Sequence, residues 1–400
     1  MIFERFLQNS KKDEIIAILD IGSGSVGGAL VSYPINKNPK ILYSVRAPII
    51  FYDKFNYERF FKSTLLTIKK ILQILYNESL KTGNPKQIFY ILAAPWYVSQ
   101  SKNIVFEDSN TFLTTREKID TIIADQVKNL KIKINTVYEN FTNDNMRTIE
   151  INNLQIKLNG YKTNAPYNKK INKLEANLYL SVSTQEILQS FQQITKNIFG
   201  TNRIFFNSFS LATFITMRDL YSEKQNFLLI DISGEATEIS IISNGILVET
   251  FSFSLGKNFL LRTIASEMQI TKEEAISLFV LFMEEKITTE KKSQIQKALE
   301  YVAIEWSEVF YKKIQSSSEY KILPSLFFVV ADTLFAQWFV TVIKNKKPTA
   351  DILFTTQFID VILINSLVLS KFVTIENQIK KDTFLLLEAL FVNRLIKSEI

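Results

Sequence analysis

The sequence predicts an α/β protein of two related halves, with a small α+β unit inserted in the first. Three observations carry this. Residues 15–26 read as an apolar strand, Asp20, a turn of small residues and a return strand, and residues 227–241 repeat that order around Asp231, 211 positions later. In both halves such strands alternate with amphipathic helical segments, the pattern of α/β sheets. Residues 96–185 interrupt the first half with strands and a helix of their own.

The paired turns point to phosphate. Gly22, Ser23, Gly24 and Ser25 in the first turn, and Ser233, Gly234 and Thr237 in the second, leave backbone N–H groups open to an anion. Asp20 and Asp231 stand at the strand ends, where each is expected to hold Mg²⁺ through water, because Mg²⁺ keeps much of its hydration shell. Two such turns facing across a cleft would grip a di- or triphosphate from both sides. Either unit alone is also an ordinary hairpin with an acidic turn residue.

The remaining elements read in order. Strands are expected over 13–53 as a group of three. A helix follows at 56–82 with Leu65, Ile68, Ile71, Leu72 and Leu75 on one face, ended by Gly83-Asn84-Pro85. A buried strand covers 88–93. In the insert, strands are expected at 103–106, 135–141, 148–158 and 174–182. A helix starting at Thr114 carries Ile119, Ile122, Ile123 and Val127. Helix 184–198, strand 203–205 and helix 208–221 complete the first half. The second runs through strands 227–232, 236–243 and 246–254, the last two joined at Asn244-Gly245. Helices 255–268, 272–285 and 289–316 come next, then strand 326–330 and helices 333–343 and 383–397.

Composition narrows the chemistry. The 400 residues include no cysteine and no histidine, so disulfides, thiolates, the usual zinc ligands and a histidine general base are all excluded. The net charge of +7 is spread over short clusters such as Lys344 to Lys347, and no nucleic-acid motif is present. The apolar stretches 327–343 and 352–370 are broken by Asp332, Gln337, Asp360 and Asn365, which favours buried elements over membrane spans. No secretory signal is read at the N-terminus, and a cytoplasmic protein is expected. Ile2, Phe3, Phe6 and Leu7 would share one face of a short helix, a peripheral membrane contact or a segment packed on the body.

This order of parts resembles the actin-like ATPase superfamily, and within it the bacterial cell-division protein FtsA and pilus-assembly protein PilM family. The resemblance covers about residues 13–397. It rests on Asp20-Ile21-Gly22-Ser23-Gly24-Ser25-Val26, on Asp231-Ile232-Ser233-Gly234 to Thr237, and on the position of the insert. Further support comes from the turn at 158–166, from Leu255-Gly256-Lys257-Asn258, and from residues 270–278. It implies two actin-like (ribonuclease H-like) domains: 13–95 with 186–224, and 225–258 with 322–400. The insert would be 96–185, a small helical subdomain 259–321, and a separate N-terminal segment 1–12.

By resemblance the cofactors are ATP and Mg²⁺, with Gly256 near the cleft and Ala331-Asp332 at the adenine turn. Four positions depart from the family pattern. Ser233 and Glu235 stand where glycine is usual, the latter bringing a carboxylate near the phosphates, and Ala331-Asp332 replaces a Gly-Gly pair.

The resemblance implies an FtsA-like, nucleotide-binding scaffold that associates with itself, as filament or dimer, and links a cell-division filament of an FtsZ-like protein to the membrane; the alternative is a PilM-like pilus-assembly platform that binds the cytoplasmic tail of an inner-membrane protein. An alternative of another class is a sugar- or acetate-kinase-like phosphotransferase, which needs a base and a tight adenine turn. No catalytic residue is assigned.

Overall fold

The computed structural model describes residues 14–137, 145–316, 322–345, 354–356, 358–376 and 379–397. The N-terminal segment with Ile2, Phe3, Phe6 and Leu7 lies outside the described residues.

The first half opens with an antiparallel meander of β1 (Glu14–Ile21), β2 (Ser25–Tyr33) and β3 (Lys40–Pro48). Helix α1 (Tyr57–Thr82) then crosses to β4 (Gln87–Leu92), which lies parallel to β1. Asn56 caps α1 by accepting from the Arg59 N–H, and Gly83, at a φ of 117°, stops it. The helix buries Ile68, Ile71, Leu72 and Leu75 on the sheet, at the spacing that one helical face requires. Helix α3 (Gln185–Phe199), strand β9 (Ile204–Ser208, parallel to β4) and helix α4 (Phe209–Leu220) complete this half.

The second half repeats the plan. β10 (Phe227–Ile232), β11 (Thr237–Ser243) and β12 (Ile246–Phe253) form the meander, and β13 (Leu326–Ala331) lies parallel to β10. Between β12 and β13 run α5 (Lys257–Met268), α6 (Lys272–Met283) and α7 (Thr289–Gln315). After β13 come α8 (Thr333–Asn345), β14 (Asp360–Leu363), α9 (Ser366–Leu369), β15 (Thr374–Ile375) and α10 (Thr383–Lys397). The sheet orders are β15-β3-β2-β1-β4-β9 and β12-β11-β10-β13-β14. In each, the meander is followed by strands parallel to its first member.

One core joins the halves. Ile16 and Ile18 of β1 and Phe227 and Leu229 of β10 belong to a single buried cluster with Ala212 and Phe214 of α4 and Leu385 and Leu386 of α10. The helices between the sheets thus fix the turns at the ends of β1 and β10 relative to each other.

The insert has its own sheet, β5-β8-β6-β7, made of β5 (Val98–Leu113), β6 (Met146–Leu158), β7 (Tyr161–Lys162) and β8 (Lys170–Thr184). Helix α2 (Arg116–Val137) packs Ile119, Ile123 and Val127 against it.

The structure differs from the sequence expectations in three places. The strand expected from residue 135 is instead the end of α2 up to Val137, because extending a formed helix costs less than starting a new element; residues 138–144 lie outside the described residues. The short strand at 103–106 extends over Val98–Leu113, since pairing with β8 overrides the weak β-propensity of Ser99, Gln100, Ser101 and Lys102. The short elements β14, α9 and β15 lack a long periodic signal, although β14 gives the second sheet its fifth strand.

Candidate functional site

Asp20 and Asp231 are each the penultimate residue of their strand, and each is buried where its strand meets its turn. Both border a cleft of about 670 Å³ between the halves. Gly22, Gly24, Ser25, Ser233, Gly234 and Asp332 border the same cleft. So do Arg46 and Lys257, with the exposed Lys380 and Lys381 at its mouth. The volume lies within the range of small-molecule and cofactor sites.

The two turns touch. The Ser23 hydroxyl and the Ser23 N–H both donate to the Ser233 Oγ, at 3.0 and 3.1 Å, and the Glu235 N–H donates to the Ser23 Oγ at 2.8 Å. A Cβ on Gly234 would stand 2.4 Å from the backbone of Gly24, so the approach needs glycine on both sides. The Ser23 N–H, one of those expected to face phosphate, is therefore occupied by the opposite turn, while the Gly22 and Ser233 N–H groups close their own turns on the carbonyls of Ser25 and Ala236. Trp96 steadies the first turn by donating its indole N–H to the Gly22 carbonyl.

The remaining expected residues separate by role. Gly256 packs on the second turn, and the following N–H groups of Lys257 and Asn258 donate to the carbonyls of Ser233 and Gly234. Thr237 is buried, donating to the Leu255 carbonyl and accepting from the Trp306 indole, so it supports the turn from behind. Ala331 is buried at the end of β13. Asp332 accepts from the Leu334 N–H at the start of α8 and forms an ion pair with Lys257. Glu235, the carboxylate expected near the phosphates, is instead held by the Arg262 guanidinium at 2.6 and 2.7 Å and by the Asn258 amide.

Charge sets the two aspartates apart. Directly opposite Asp20 in the sheet register is Gly27, and opposite Gly27 is Arg46; the matching row in the second half is Asp231, Glu238 and Ser252. Arg46 reaches back over Gly27 to an oxygen of Asp20 at 2.6 Å. Burial pushes Asp20 up, against the opposing pull of Arg46. Asp231 has no cation in its row. Burial, then Glu238 and Asp20, push it well above the usual carboxylate range, and its Oδ1 has no hydrogen-bond partner among the described residues. Burial raises Glu238 to about 7, with the Tyr97 hydroxyl donating to it at 2.5 Å and holding it lower than burial alone would. Behind Asp20 lies Glu388 of α10, fully buried and pushed well above its ordinary value by burial and by Asp20.

For a phosphate chain the cleft thus offers Lys257, Arg46, Lys380 and Lys381. For hydrated Mg²⁺ the fit is poorer, because Asp20 is already engaged by a guanidinium. Arg46, Asp382, Glu238 and Arg262 were not singled out from the sequence. The available signal was Gly27 facing a lone arginine in an otherwise β-forming strand, and it becomes visible once the strand register is known.

No protein-family model and no curated protein matches the chain. Solved structures do. A chain of the PilM–PilN type IV pilus biogenesis complex superposes with a TM-score of 0.57 at 10% identity, over 96% of this chain and 98% of that one. The ethanolamine utilization protein EutJ from Carboxydothermus hydrogenoformans gives 0.44 at 12% identity, over 97% and 91%. A Bacteroides thetaiotaomicron protein with an actin-like ATPase fold gives 0.37 at 12% identity, over 97% and 99%. With the duplicated strand order and the facing turns, the end-to-end match to the pilus protein gives this chain the actin-like ATPase fold.

Proposed function

We propose that this protein is an actin-like scaffold that takes ATP in the cleft between its halves and works by assembly, with itself and with the short cytoplasmic tail of a membrane protein at the cell membrane. The observation that carries the reading is the cleft: two turns of small residues at the ends of equivalent strands, with Lys257 and Arg46 on its walls and Lys380 and Lys381 at its mouth. The end-to-end likeness to a PilM chain supports the choice of a pilus-type platform over a division scaffold. The division reading keeps one point in its favour, the family-like turn at 158–166 in the insert.

In this reading the Ser23–Ser233 contact holds the two turns together across the cleft. A phosphate chain between the turns replaces that contact, so nucleotide shifts the chain toward an open state and toward its partners. Chemistry at the phosphate is not needed for such a switch.

The test is binding of a fluorescent ATP analogue, displaced by unlabelled ATP, to the wild type and to Lys257→Glu. Saturable binding that the variant loses supports the reading. No binding by the wild type at high micromolar nucleotide leaves a pseudo-actin whose partners bind without nucleotide.

A further inference from the structure

Arg46 occupies a site built for it. Its Nε and Nη2 donate to the two oxygens of Asp382 at 2.6 and 3.0 Å, Nη2 also donates to Asp20 at 2.6 Å, and Nη1 donates to the Ser25 hydroxyl at 3.0 Å. The guanidinium lies 5.2 Å from the centre of the Phe384 ring. Gly27 makes the room, since a Cβ there would stand 2.6 Å from Nη2. Asp382 is itself fixed, accepting from the Phe384 and Leu385 N–H groups at the start of α10. A guanidinium has five N–H donors in a rigid fork. Four are engaged in these bonds, and the side chain keeps 26% exposure on the cleft wall.

A permanent cation therefore sits against Asp20 on the cleft wall. We propose that Arg46 takes the place of the divalent metal at Asp20, so that the cleft binds a nucleotide's phosphate chain as the metal-free anion. The second Nη1–H, which has no partner among the described residues, and Lys257 on the same cleft are the groups that meet the phosphate oxygens, as charge-assisted hydrogen bonds. This rests on the nucleotide reading above and adds to it the ionic form of the ligand. The second half has no counterpart of Arg46: Asp231 is opposed in its row by Glu238, which Tyr97 holds in the core, and the next residue of the row is Ser252. Among the described residues no group of three or more acidic side chains is placed to hold a metal.

The experiment compares binding of the fluorescent ATP analogue to the full chain in excess Mg²⁺ and in excess EDTA. A titration of wild type with Mn²⁺ alone is followed by the loss of the free-ion resonance signal. The expected result is an affinity that changes by no more than about twofold between Mg²⁺ and EDTA, with no saturable Mn²⁺ site. Arg46→Ala is expected to weaken binding in EDTA by about tenfold, and Mg²⁺ to recover part of the loss. If Arg46→Ala does not fold, the wild-type comparison decides by itself. Binding that requires Mg²⁺, or binding in EDTA that Arg46→Ala leaves unchanged, overturns this inference and leaves the nucleotide reading standing. No binding in either buffer overturns both.

Discussion

Ser23 and Ser233, 210 residues apart in the chain, share a hydrogen bond of 3.0 Å at the point where the two halves meet. Both hydroxyls are used twice across the gap, since Ser233 also accepts from the Ser23 N–H and Ser23 accepts from the Glu235 N–H. The turns are thus interlocked as well as adjacent. Ser233→Ala removes the shared acceptor and is expected to cost about 1 kcal/mol of stability. It also removes a contact that a phosphate chain must break. Binding of the ATP analogue is therefore expected to strengthen about fivefold, the equivalent of that energy. Urea unfolding and a fluorescence titration read the two effects, and weaker binding in the variant would mean that the serine serves the ligand directly.

Arg262 and Glu235 form a two-pronged ion pair that is largely shielded from water. The Arg262 Nε–H also donates to the Tyr52 carbonyl in the first half. Arg262→Ala leaves the Glu235 charge without its main partner and is expected to cost about 3 kcal/mol. Arg262→Ala combined with Glu235→Gln should recover much of the loss. Thermal unfolding of the two single variants and the pair would measure the coupling, and strict additivity would show that the pair does not act as a unit.

Glu238 ties stability to pH. Its ordinary value of 4.5 is raised to about 7 by burial, so between these values the folded chain holds a proton that the unfolded chain has lost. Its contribution is complete below about pH 4.5 and is lost as pH rises through about 7, a change of about 3 kcal/mol. Glu238→Gln should therefore flatten part of the pH dependence in that window and be relatively more stable than wild type above it. Tyr97→Phe removes the donor that favours the charged form, so Glu238 should be pushed higher still and the loss should grow and extend to higher pH. Urea midpoints measured from pH 5 to 8 test both, and parallel curves for wild type and Glu238→Gln would refute the assignment.

Gly234 is expected to be intolerant of even one carbon. A Cβ there lies 2.4 Å from both the Cα and the N of Gly24, and backbone on both sides cannot yield as a side chain would. Gly234→Ala should cost about 3 kcal/mol and disturb the cleft. Gly160, at a φ of 85° with nothing within 4 Å of an added Cβ, provides the comparison. Gly160→Ala should cost about 1 kcal/mol from backbone strain alone and leave nucleotide binding unchanged. Equal effects at the two positions would show that the close approach of the turns is not what matters.

The sequence by itself determined the elements whose signals are local. The apolar runs of β1 and β10, each ending in aspartate and small residues, were legible because turn chemistry depends on neighbouring residues. Helix α1 was legible for the same kind of reason, with its apolar spacing and its stop at Gly83. The repetition of one unit in each half was enough to read the fold.

Tertiary structure alone decided what the cleft contains. That Arg46 reaches Asp20 depends on the register of three strands and on the bare surface of Gly27 between them. That Ser23 meets Ser233, and that Glu235 turns to Arg262, depends on how α4 and α10 set the two sheets against each other. Such contacts are sums of packing over distant parts of the chain, and no short stretch of residues encodes them. Local periodicity therefore fixed the framework and placed both aspartates at their strand ends, whereas long-range packing decided which charges face them.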